Sequence, residues 1–158
     1  MTTAPFVTHN VVQRWMQSVL VADSAVVAAV SGAANIYPNV SPRAITKRHL
    51  AHSFGGPNGG RVARPMRAPI SQTGVFWDLT GWEPGYSQQA LDPLLEAVMA
   101  ELIGDDLRGT SGRVYDDGDR TFYVDCDYVG PEVVPIETAP EGVWAPVRER
   151  YAVTLRPA

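Results

Sequence analysis

Between Ser24 and Trp77 this chain has not one aspartate or glutamate. It has one cysteine, Cys126, which excludes an internal disulfide and fits a reducing compartment. No run approaches the ~18 apolar residues that a spanning helix needs, so no membrane partner is expected. The residues from Met1 to Asn10 lack a basic segment leading into an apolar run, so no secretory signal is expected there. Charged residues make up 19% and hydrophobic residues 45%, the balance of a folded globular domain rather than a disordered chain. At 158 residues the simplest organisation is one domain over 1–158, long enough to bury a core without staples.

The missing acids expose a sorting of charge. The acid-free stretch holds Arg43, Lys47, Arg48, Arg61, Arg64 and Arg67. From Asp78 to Glu141 there are fifteen acidic residues against three basic ones, a local charge of −12 in a chain of net charge −4. A basic arm and an acidic body in one molecule can attract a second copy of it, or a partner of either sign. A sequence pI near 5.3 argues against a general nucleic-acid binder and leaves a local basic patch possible.

Periodicity divides the chain into elements. Val11, Val12, Trp15, Met16, Val19 and Leu20 form one stripe of an amphipathic helix, with Asn10 as its expected N-cap. Asp23 reads as the cap of a second, short helix that Gly32 ends. Ile36-Tyr37-Pro38 is a short strand stopped by proline. Residues 43–69 show little apolar periodicity and hold Gly55 to Gly60 among basic residues; they read as a projecting loop or a glycine-tipped hairpin. Ile70 to Trp82 is a strand with Val75, Trp77 and Leu79 on one face. Leu91, Leu94, Leu95, Val98, Met99, Leu102 and Ile103 repeat at helical spacing, with Asp92-Pro93 at the start and Gly104 at the stop. A turn from Ser87 runs into that helix.

The last third alternates at period two. Asp116 to Asp119 is a hairpin turn, and Phe122, Val124, Cys126 and Tyr128 share one strand face. Gly130 to Pro146 reads as a connection. In the closing strand Tyr151, Val153 and Leu155 oppose Arg148, Arg150, Thr154 and Arg156. The Asp face of one strand can meet the Arg face of the other if the two pair. The fold class expected is α+β: a mostly antiparallel sheet, two main helices packed on one face, and a long basic loop.

No catalytic, cofactor or metal site emerges. His49-x-x-His52 lacks a nearby Cys or carboxylate to complete a ligand set, and reads as part of a solvated basic loop. Gly55 to Gly60 is followed by Arg61-Val62 where a phosphate loop requires Lys-Ser/Thr. Asp116, Asp117 and Asp119 lack the spacing and the distant Glu of a calcium loop, so a turn is the reading. Cys126 sits on an apolar strand face, with every histidine (His9, His49, His52) far away in sequence; a small hydrophobe fits better than a nucleophile. Trp15, Trp77, Trp82 and Trp144 read as core or interface anchors.

The order of these features carries a resemblance. After the first helix come Ala22-Asp23-Ser24-Ala25-Val26-Val27-Ala28-Ala29-Val30-Ser31-Gly32 and then Asn35-Ile36-Tyr37-Pro38. A variable loop follows, then a strand ending near Trp82, the turn Gly85-Tyr86-Ser87-Gln88-Gln89-Ala90, the Leu-rich helix and the closing strands. In this order the chain resembles the tail-terminator, or tail-completion, proteins of long-tailed bacteriophages. The resemblance implies a non-enzymatic virion protein at the tail–neck junction, made in the bacterial host cytoplasm, with no cofactor. It implies a ring, hexameric by the family pattern, that ends tube polymerisation and joins the tail to the head. Its partners would be further copies of itself, the major tail tube protein, the head–tail connector or stopper protein, and DNA passing through the channel without sequence-specific contact. The interaction residues expected are Arg43, Lys47, Arg48, Arg61, Arg64 and Arg67, meeting a neighbouring subunit, the tube or DNA. The alternatives are a head–tail adaptor or stopper and, in a different class, a small-molecule-binding α+β domain.

Overall fold

The computed structural model describes residues 7–39, 45–58, 73–104, 109–118, 120–139 and 142–158. The chain is α+β. Helix α1 (Thr8–Ala22) is followed by the short helix α2 (Ser24–Ala29), a 3-10 turn (Ala33–Asn35), β1 (Ile36–Pro38), β2 (His49–Pro57) and β3 (Thr73–Pro84). A second 3-10 turn (Gln88–Leu91) leads into α3 (Asp92–Ile103), and β4 (Thr110–Asp116), β5 (Thr121–Glu132), β6 (Glu137–Ala139) and β7 (Gly142–Pro157) complete the order. The strands form one sheet in the order β1-β2-β3-β7-β5-β4, with β6 paired to β7. Among the described residues only β1 and β2 run parallel; every other pair is antiparallel.

The last strand lies at the centre of the sheet. β7 pairs with β3 from Leu155 to Trp144 and with β5 from Pro157 to Arg148. Alternation then decides what each strand buries. Val75, Trp77 and Leu79 of β3, Phe122, Val124 and Cys126 of β5, and Tyr151, Val153 and Leu155 of β7 all point into one core. The stripes of α1 (Val11, Val12, Trp15, Met16, Leu20) and α3 (Leu94, Leu95, Val98, Leu102, Ile103) close that core, with Met99 partly buried against it. Each fully buried Leu, Val or Phe is worth about 1.5–3 kcal/mol of transfer free energy. Gly81 lets the start of α3 sit close to β3, because a Cβ there would stand 3.2 Å from Leu91 and 3.4 Å from Leu94.

The helix ends differ from the expected caps. α1 starts at Thr8 with Val7 as cap residue, one turn before the apolar stripe, so Asn10 lies inside the first turn. Asp23 does cap α2, its side chain accepting from Val26 N–H at 2.9 Å. The left-handed residue after α2 is Ser31 (φ 60), not Gly32, which follows at φ 139. Gly32 N–H reaches Val27 O at 3.0 Å and Ser31 N–H reaches Ala28 O at 3.2 Å, the pair of bonds that ends a helix in a Schellman motif. Asp92 is the first residue of α3 rather than its cap, because the turn before it is already helical at Leu91 (φ −85, ψ −8). Gly104 ends α3 at φ 80.

The two expected loops contain strands. Residues 49–57 of the supposed loop over 43–69 are β2, an antiparallel neighbour of β3. Whether a loop projects or a glycine tip closes the hairpin falls on 59–72, outside the described residues. The connection over Gly130 to Pro146 likewise holds the end of β5, all of β6 and the start of β7. Its prolines and glutamates hide a hairpin whose register runs Glu137↔Trp144 to Ala139↔Gly142.

Candidate interaction surfaces

The outer face of the sheet, away from the helices, carries the paired charges. Arg150 of β7 stands in register with Asp78 of β3. Its guanidinium donates to both carboxylate oxygens, at 2.8 and 3.1 Å, and Glu132 of β5 approaches it at 3.1 Å. Gly55 makes room for this group: a Cβ there would lie 2.8 Å from the Asp78 carboxylate. On the same face Arg148 donates to the Thr80 hydroxyl at 3.1 Å, and Arg156 meets Asp125 at 3.5 Å. The expected meeting of Asp and Arg faces thus occurs, but β7 draws acids from both its neighbours, β3 as well as β5.

Elsewhere the arginines are committed within the chain too. Arg14 of α1 forks onto Asp117 in the β4–β5 turn at 2.7 and 2.6 Å, which holds that carboxyl below its ordinary pKa. Arg113 pairs with Glu101 at 2.7 Å. Arg48, one of the expected contact residues, is half-buried; it bonds Glu83 and also donates to Ala29 O at 3.4 Å. Exposed pairs of this kind add about 0–1 kcal/mol each; their main effect is to neutralise. Of the other expected contact residues, Lys47 is exposed with no ion pair among the described residues, and Arg43, Arg61, Arg64 and Arg67 lie outside them. Asp92, Glu96 and Glu137 are exposed and likewise make no ion pair among the described residues. Six acids of the acidic body, Asp78, Glu83, Glu101, Asp117, Asp125 and Glu132, are therefore paired from within the chain, by Arg14, Arg48, Arg113, Arg150 and Arg156. The signal for this was present in the alternating arginines of 148–156, but their acidic partners across the sheet depend on strand order.

The histidine pair is not in a loop. His49 and His52 lie on β2 at odd spacing, which places them on opposite faces of the sheet. His49 is 4% exposed on the outer face, stacked on Trp82 and edge-on to Trp144 and Tyr37. Its Nδ1 bonds Lys47 O at 2.9 Å. His52 is 0% exposed on the helix face. Burial lowers the pKa of both, and brings His52 to about 4. One metal cannot bridge them, and no cluster of three His, Cys, Asp or Glu side chains occurs among the described residues.

The Asp turn behaves as a turn: Asp116 accepts from Gly118 N–H at 2.9 Å. Cys126 is fully buried and its thiol is pushed up to about 12, chiefly by desolvation. Trp15 and Trp77 are core anchors, while Trp82 and Trp144 border the outer aromatic cluster. A cleft of about 300 Å³ lies between the end of α2 and the end of β3, lined by Val30, Ser31, Lys47, Arg48 and Glu83. Its arginine and glutamate bond each other rather than converging on the space. No described helix is long and apolar enough to cross a membrane.

No family model and no curated protein matches this chain. Its fold is similar to that of a chain in the structure described as the virion of a native gene transfer agent (GTA) particle. The alignment has a TM-score of 0.51 and 14% identity, and covers 91% of this chain and 93% of that one. At that identity the likeness is one of fold.

Proposed function

We propose that this chain is a structural, non-enzymatic virion protein. More finely, we propose a tail terminator: a ring, hexameric by the family pattern, that caps the tail tube at the neck, ends its polymerisation and offers a docking face to the head–tail connector. The observation that carries the reading is the end-to-end likeness of fold to a chain of a gene transfer agent virion. The order of motifs from Ala22 to Pro38 and from Gly85 to Ala90 supports the finer assignment. A ring of identical copies needs head-to-tail contacts between two different surfaces of one chain. The uneven charge supports that: most described arginines are held by their own carboxylates, which leaves Lys47 and the basic segments around Arg43 and Arg61 to Arg67 to meet neighbour, tube or DNA. Such charges set register and encounter rate more than affinity.

The test is end-capping. Tubes assembled from the major tail tube protein of the same particle are mixed with this chain and followed by electron microscopy. The expected result is density at one tube end and arrested elongation. Tubes that lengthen as before, with bare ends, would remove the terminator reading. Binding to the connector alone would favour the adaptor or stopper instead.

A further inference from the structure

The buried polar atoms of His52 form a continuous path through the fold. The Trp77 indole Nε1–H donates to His52 Nδ1 at 3.0 Å. An indole nitrogen can only donate, so Nδ1 is bare and the ring proton sits on Nε2. That Nε2–H donates to Gln17 Oε1 of α1 at 2.7 Å, and the Gln17 amide donates to Ile36 O of β1 at 3.1 Å. One chain of bonds therefore joins β3, β2, α1 and β1, and only the neutral imidazole in this tautomer can complete it. A second contact lies nearer the start of α1, where the His9 ring is 5.2 Å from Phe54, itself 6.4 Å from Trp77. Helix α1 thus grips the β2–β3 hairpin at two points.

We propose that the Trp77–His52–Gln17 chain is an acid-released latch between α1 and the β2–β3 hairpin that carries the basic segment. A second proton on His52 can go only to Nδ1, where the indole N–H already points; donor would then face donor, and the bond to Trp77 breaks. Among the described residues the surrounding charges give the imidazolium no carboxylate partner. On α1, Arg14 is turned to Asp117, and His9 lies over Phe54. On β1 there is no charge; Asn39, just after it, donates its N–H to the His52 carbonyl at 2.7 Å. His49 of β2 and Asp78 of β3 lie on the opposite face, and Glu83 is held by Arg48. Glu149 of β7, across Leu79, accepts from the Tyr128 hydroxyl. Release falls at the hairpin base because a buried charge without a partner is relieved most cheaply by local opening.

The latch is read on the chain by itself, so its failure and that of the ring reading are separate. Hydrogen exchange of the full chain is compared at pH 7 and 4.5, corrected for intrinsic rates. Amides of 49–57 and 73–84 are expected to lose protection roughly fifty-fold at the lower pH, through an opening that leaves the slowest amides of α3 closed. His52→Asn keeps an acceptor near the Nδ1 position and does not titrate, so it is expected to lose this difference. Equal protection at both pH values, amides of 49–57 and 73–84 that open at pH 4.5 only together with the slowest amides of α3, or the same loss in His52→Asn would each overturn the latch. A wild-type measurement stands beside the variant: nitrogen NMR is expected to show a bare Nδ1 at pH 7 and an indole N–H of Trp77 that shifts with the imidazole titration. A protonated Nδ1 at pH 7 would end the proposal.

Discussion

Asp78 shows how a charge survives on a nearly covered surface. Its side chain is 10% exposed, and both its oxygens accept from Arg150. Removing the arginine alone strands that carboxylate, so Arg150→Met is expected to cost about 3 kcal/mol in urea unfolding. Arg150→Met with Asp78→Leu should recover most of the loss; strictly additive costs would mean the two groups do not couple. His52 sets the acid side of stability. Unfolded, it binds its proton below an ordinary value of 6.5; folded, only below about 4. Between those values the unfolded state holds more protons, so stability should fall as pH drops from 6.5 to 4, by about 3 kcal/mol. A His52→Asn chain with the same pH slope in thermal melts would contradict this. The burial of His49 and His52 was not legible in the sequence, because their strand sits in a glycine-rich basic stretch without apolar alternation. What buries them comes from elsewhere in the chain: Gln17, Trp77, Trp82 and Trp144.

Elements with a strong period were legible almost to the residue. The helix from Asp92 to Ile103 buries five of the seven residues its stripe predicts within it and at its entry, Leu94, Leu95, Val98, Leu102 and Ile103, and Leu91 is buried in the turn before it. Leu102→Ala should therefore cost about 2–5 kcal/mol in chemical denaturation. A loss well below that would place the stripe at the surface. Alternation in β5 and β7 was equally plain, since both bury one face and leave the other to charge. What failed were the joins. The cap of α1, the cap of α3 and the β6–β7 hairpin depend on where the preceding backbone is already helical or paired, which no residue type announces. Strand order was also hidden: β7 lies between β3 and β5, and only that order brings Arg150 to Asp78.

At the scale of the whole molecule, charge sorting along the sequence does not survive folding unchanged. Folding brings α1 and β7 cations to acids of β3, β5 and the β4–β5 turn, while Asp92, Glu96 and Glu137 make no ion pair among the described residues. The cations proposed to meet partners are Lys47, Arg43, Arg61, Arg64 and Arg67. Changing Arg61, Arg64 and Arg67 together to Glu should weaken self-association and reverse or flatten its salt dependence. Unchanged assembly would leave that segment without a role between copies. The central claim is that this chain closes on itself into a ring. Its mass at micromolar concentration, read by light scattering together with negative-stain images, tests that most directly: annular particles of several copies are the predicted result, and a monomer that stays monomeric even beside tail tubes would contradict it.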